Sequence, residues 1–132
     1  NKDYATAYTY NKELLPLLKA NYGEDADKWK NNYNGKLITQ SFCANLLGKF
    51  EEGELHSLEA LKVDSTQPLA YTNLAAAYLL QGKYEAAEKM YPQYKSELKE
   101  GFLSDFDELA KAGVIPAERM ADVEKIKKML NE

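Results

Sequence analysis

Apolar positions in the middle of the chain recur at a helical spacing. Tyr71, Leu74, Ala75 and Tyr78 fall at i, i+3, i+4 and i+7, which places them on one helix face. Past Gly82, a second stripe follows in Tyr84, Ala87, Tyr91 and Tyr94. The pattern predicts helices over Leu69–Leu80 and Tyr84–Leu98, joined by a tight turn at Gly82. An earlier pair is predicted over Leu37–Leu47 and Phe50–Val63, with its turn at Gly48. The two turns share a sequence: Gly48-Lys49-Phe50-Glu51 returns as Gly82-Lys83-Tyr84-Glu85, 34 residues later. Two short helices joined by such a turn form an αα-hairpin, and a fixed period stacks successive hairpins in register.

The flanks carry weaker stripes. Asp3-Tyr4-Ala5-Thr6-Ala7 reads like Lys83-Tyr84-Glu85-Ala86-Ala87 and predicts a helix running through Leu14, Leu15, Leu17 and Leu18. Pro16 removes one of its hydrogen bonds and is expected to kink it. Residues 21–25 read as a loop. From Asp25 a long helix is expected to carry Trp29, Tyr33, Leu37 and Ser41 on one face, with Asn34-Gly35 weakening its middle. In the last third, Ser104 is the expected N-cap of a helix through Phe106, Leu109 and Ala110 that stops at Gly113. Pro116 then opens a final helix with a narrow stripe of Met120, Val123, Ile126 and Leu130 on otherwise charged faces. Pro92 is expected to kink the chain after Tyr91.

The segment "YTNLAAAYLLQGKYEAAEKMY" resembles a tetratricopeptide repeat (TPR). Tyr71, Leu74, Ala75, Tyr78, Gly82, Tyr84, Ala87 and Tyr91 fit that family's pattern position by position. In the preceding copy Leu37, Ser41, Ala44, Gly48, Phe50, Gly53 and Ala60 fit, while Gln40 replaces the usual Leu and Ser57 the usual aromatic. Asp64 and Pro68 bracket what looks like the customary turn into the next hairpin. The long helix after "YGED" is similar to the extended repeats of kinesin-light-chain-type TPR proteins. The resemblance implies an all-α fold, a right-handed αα-superhelix of stacked helical hairpins. Small residues such as Ala75 and Ala87 would let the helices of a hairpin approach, with Tyr78 and Tyr84 filling the space between layers. The expected division is a helical flank (1–34), a first repeat (35–67), a second (68–101), and a degenerate repeat with a capping helix (102–132).

The resemblance also implies a concave groove lined by the first helix of each hairpin. Its positions fall on Ile38, Phe42, Asn45 and Leu46 in the first copy, and on Leu69, Thr72, Asn73, Ala76, Leu79 and Leu80 in the second. The surface is mostly apolar and suits a peptide segment or partner domain. Only Asn73 coincides with the carboxylate clamp of the chaperone-tail-binding subgroup; Ile38, Phe42, Leu103 and Asp107 hold the other clamp positions. That argues against an acidic C-terminal tail as ligand. The alternatives are a second copy of the chain, giving a homodimer, or the chain's own helices, which would make this a regulatory or structural appendage of a longer enzyme or signalling protein.

Composition sharpens the picture in one respect. Eighteen Leu and 16 Ala stand against 3 Ile and 3 Val, a balance that favours helix over strand. A net charge of −4 offers no basic footprint for nucleic acid. The longest apolar run, Leu74–Leu80, is far short of the roughly 20 residues that span a bilayer. The polar, tyrosine-rich first 20 residues do not read as a signal peptide. The start at Asn1 suggests a processed or excised piece, so the expectation is a soluble protein, cytoplasmic or extracytoplasmic after removal of an N-terminal segment.

Catalytic chemistry is sparse. His56 has no nucleophile motif beside it, and Cys43 sits among apolar residues as a buried, inert thiol would. One His and one Cys do not make a structural zinc site. The Gly-Lys turns lack the remaining residues of a phosphate loop. The sequence therefore predicts no enzyme, no cofactor and no metal, and a protein or peptide as partner.

Overall fold

A computed structural model describes residues 3–132. The element order is α1 (Tyr4–Glu24), α2 (Ala26–Leu46), α3 (Phe50–Val63), α4 (Pro68–Leu80), α5 (Tyr84–Ala112), a single 3₁₀ turn (Ala117–Arg119) and α6 (Met120–Leu130). Among the described residues there is no strand.

Helix ends follow from identifiable caps. The Asp3 carboxylate accepts from the Thr6 N–H at 2.9 Å and starts α1. Asp25 serves two helices: its N–H donates to Asn21 O at the end of α1, and its side chain accepts from the Lys28 N–H at the start of α2. The loop expected over residues 21–25 therefore shrinks to this one residue. α2 runs unbroken through Asn34-Gly35, with Asn34 buried and Gly35 exposed. Asp64 caps the turn before α4 by accepting from Thr66 and Gln67, and Pro68 occupies the first turn of α4, where a missing N–H costs nothing.

Three turns share one geometry. Gly48, Gly82 and Gly113 have φ of 78°, 85° and 72°, the left-handed region where a side chain would be strained. In each, the following N–H reaches back five residues: Lys49 to Ala44 O (2.8 Å), Lys83 to Tyr78 O (2.9 Å), Val114 to Leu109 O (3.4 Å). This is the Schellman closure of a helix end. The first two glycines are 34 residues apart, 48 to 82, and the third follows after 31, 82 to 113.

A third hairpin requires α5 to double back, and it does. The ring of Tyr91 lies 4.6 Å from that of Phe102 and 5.7 Å from that of Phe106. Fifteen residues of straight helix would span about 22 Å. α5 is thus two arms joined by a sharp bend between Tyr91 and Phe102. The α6 contacts agree: Lys125 Nζ lies over the Tyr84 ring at 5.2 Å and Lys95 Nζ donates to Met129 O at 2.8 Å, so α6 runs alongside the first arm in the same direction. Residues 98–101, one period after the turn at 64–67, remain helical. Leu98-Lys99-Glu100-Gly101 has no Asp or Pro to break the hydrogen-bond ladder, so the backbone stays helical around the corner. Pro92 and Gly101 are its weak points. Ser104, expected to cap a new helix, instead lies within the second arm.

The main core sits between the last two hairpins, where Ala75, Ala76, Leu79 and Ala87 pack under Tyr91, Phe102, Phe106 and Leu109, with Val123, Ile126 and Leu130 of α6 behind them. A second cluster joins α1 and α2 to the ends of α3 and α4 through Leu15, Leu18, Tyr33, Leu37, Ala60 and Ala70. Met120, expected in the α6 stripe, is half exposed; the buried residues of that helix are Val123, Ile126 and Leu130.

Candidate interaction surface

The ten groove positions divide by burial. Asn45, Leu46, Thr72, Asn73, Ala76, Leu79 and Leu80 are buried, Leu79 completely. Ile38 and Phe42 are partly covered, and Leu69, on the first turn of α4, is 60% exposed. The second arm of α5 accounts for the difference. Its Phe102, Phe106 and Leu109 share a core with Leu46, Ala76, Leu79 and Leu80. Glu108, on the same arm, accepts from the Tyr4 hydroxyl at 3.3 Å, and the Tyr4 ring meets Phe42 edge-on at 5.9 Å. One end of the groove, with Phe42, is thereby closed by the chain's own helices, while Ile38 and Leu69 keep surface at the other.

Polar groups of the groove are used internally. Asn73 Nδ2 donates to Ser41 Oγ at 2.7 Å and to Ile38 O at 3.1 Å, and Asn45 Nδ2 donates to Asn73 O at 3.0 Å. Asn73, the single clamp match, thus stitches α2 to α4. On the second arm Asp105 is half-buried beside the Thr72 hydroxyl, with Glu108 on the next turn. Loss of hydration pushes its carboxyl up to about 6; the Thr72 hydrogen bond pulls it down and the Glu108 charge pushes it further up.

The two residues weighed for chemistry are placed unremarkably. Cys43 is buried, and burial raises its thiol pKa, which holds it protonated. Burial lowers the pKa of His56 on α3, against the pull of Glu52 and Glu59. Among the described residues no group of three or more His, Cys, Asp or Glu could hold a metal ion. None of the described helices is long and apolar enough to cross a membrane.

One groove escaped the sequence reading. It lies between α1 and α3 over the face of α2 that carries Tyr33, Leu37 and Gln40. A signal for it exists: Gln40 stands where a repeat carries Leu, and the structure turns it toward α1, where Nε2 donates to Tyr8 O at 3.0 Å.

Hairpins stacked at a near-constant period, with alanines at their crossings and a glycine at each turn, define a helical-repeat scaffold. Residues 56–89, one period, match the family model described as Tetratricopeptide repeat. They begin within α3, cover α4 and end in the first arm of α5. That segment is a repeat of the TPR type and the all-helical architecture around it agrees; such repeats generally serve in protein–protein interaction and are typically non-catalytic. No curated protein and no solved structure matches the chain.

Proposed function

We propose that the chain is a protein-interaction scaffold that receives a partner's peptide segment or domain on the open end of its concave face, around Ile38 and Leu69. The observation that carries this reading is the division of the groove. Leu46, Leu79 and Leu80 are spent on the chain's own core, whereas Leu69 leaves most of its surface to solvent. An apolar side chain of a partner would gain roughly 1.5–3 kcal/mol by full burial there.

The burial of the other groove positions supports a second reading, an appendage of a longer enzyme or signalling protein whose groove is filled from within. A pull-down comparing the wild type with an Ile38→Glu, Leu69→Glu double variant separates the two. Leu69 is exposed, whereas Ile38 packs against the second core cluster, so Leu69→Glu alone, expected to keep the melting temperature, is measured beside the double variant, and both should lose the partner. A partner retained equally by the folded variant would move binding off this face, and a wild type that captures nothing would favour the appendage.

A further inference from the structure

We propose that the chain pairs with a second copy of itself along the outward face of α3, the two helices running antiparallel. α3 is the second helix of its hairpin and lies away from the concave face. It buries Phe50, Gly53, Ser57 and Ala60 against the rest of the molecule. At about 100° per residue, Glu51, Leu55, Leu58 and Lys62 form a stripe about 60° wide on the opposite side. Glu51, Leu55 and Lys62 are exposed and Leu58 is half-buried; Leu55 leaves 64% of its surface to solvent. Neither leucine joins a hydrophobic cluster among the described residues.

The stripe has the shape of a helix-pairing site. Leu55, Leu58, Glu59 and Lys62, with Leu61 beside them, line a hollow of about 430 Å³. Their spacing is i, i+3, i+4 and i+7, the four-residue hole that receives one side chain of a facing helix. Glu59 accepts from the Tyr33 hydroxyl at 3.3 Å, which ties its carboxylate toward α2 and leaves the hollow to the leucines.

The order of residues selects the occupant. The stripe reads acid, Leu, Leu, base at positions 51, 55, 58 and 62, with steps of four, three and four. Reversed, it keeps the same steps and exchanges the charges. An antiparallel copy therefore sets Leu55 level with Leu58 and Glu51 level with Lys62. Leu55 of each copy enters the hollow of the other, and the two-fold axis makes every contact twice. A parallel copy would oppose Glu51 to Glu51 and Lys62 to Lys62, which repels. Both charges are available, since neither forms an ion pair among the described residues. α3 has 14 residues, about four turns. A contact of that length falls below the ~1,200 Å² of stable complexes, so the dimer is weak and depends on concentration.

Sedimentation equilibrium of the whole chain between about 10 µM and about 1 mM tests the pairing. The mass is expected to rise from 15.0 kDa toward twice that value. Leu55→Asp, at an exposed position that leaves the fold intact, should abolish the rise. Lys62→Glu turns both ion pairs into repulsions and should weaken association at least about fivefold. Adding Glu51→Lys to it restores opposite charges at both ends and should recover most of that loss. Leu69→Glu alters the concave face only and should change nothing. A thermal melt of each dilute variant checks its fold. A monomer mass over the whole range, a dimer indifferent to Leu55→Asp, a double variant no better than Lys62→Glu alone, or a dimer lost with Leu69→Glu would each overturn the proposal.

Discussion

The hairpin α2–α3 and the hairpin formed by α4 with the first arm of α5 share a turn, a period and a topology, yet their interiors are chemically different. At equivalent positions 34 residues apart, Gln40 faces Leu74, Ser41 faces Ala75, Gly53 faces Ala87 and Ser57 faces Tyr91. All eight are buried. The later hairpin fills its interior with aromatic volume, whose partners Phe102 and Phe106 come from beyond the bend of α5. The earlier one fills its interior with hydrogen bonds: Asn73 to Ser41, Asn45 to Asn73, Gln40 to Tyr8 and Ser57 to Gly53. Gly53 belongs to the same arrangement, since a Cβ there would overlap the side-chain oxygen Oδ1 of Asn45. One backbone plan thus tolerates two kinds of core, the polar one leaving Gln40 Oε1 and Asn45 Oδ1 without a donor among the described residues.

Substitution at equivalent sites should break this comparison unevenly. Tyr91→Ala removes a buried ring from the aromatic core and is expected to cost about 3–5 kcal/mol in urea unfolding. A loss under about 1 kcal/mol would mean that the two arms of α5 do not close on this ring. Ala75→Leu overpacks the α4 crossing and should cost about 1–3 kcal/mol, read as a lower thermal midpoint.

Asp105→Asn gives a pH-dependent effect. The carboxyl of Asp105 titrates near 6 in the folded chain, against 3.8 as a free side chain. Its contribution is most favourable below the unfolded value and is lost as pH rises through about 6. Asp105→Asn should therefore stabilise the fold at pH 8 by about 1–2 kcal/mol, discounted for partial exposure, and by little at pH 3.5. Equal effects at both pH values would show that the carboxylate is not strained there. Smallest is Ser57→Ala, the counterpart of Tyr91→Ala, which deletes one hydrogen bond within α3 and should cost under about 1.5 kcal/mol. A cost equal to that of Tyr91→Ala would erase the distinction between the two cores.

Local chemistry was legible in the sequence. The turns at Gly48 and Gly82, α4 with its Pro68 start, and the alanines at helix crossings all follow from signals within a few residues of where they act. The stop at Gly113 was legible for the same reason. Ser104 was misplaced because helix continuation through residues 98–101 depends on absent breakers, and a polar residue with cap character is equally at home on an exposed helix face. The loop expected over residues 21–25 reduces to Asp25, because that one residue caps both neighbouring helices.

The candidate surface was legible only as a set of positions. Ile38, Leu79 and Leu80 look alike in sequence, and what separates them is the second arm of α5, brought over α4 by a bend that periodicity does not encode. Gln40 and Ser57 were visible as departures from the repeat pattern. Their meaning required α1, which is far away in sequence and places Tyr8 against both Gln40 and Glu52.

The central claim is that α5 doubles back and closes one end of the concave face. Electron–electron distance measurement between spin labels at Lys89→Cys and Ala110→Cys, in a Cys43→Ala background, tests it directly, since both labelled sites are exposed. Antiparallel arms packed at ordinary helix spacing should place the labels within about 20 Å of each other. A straight helix would hold them about 32 Å apart or more, and that distance would contradict the account.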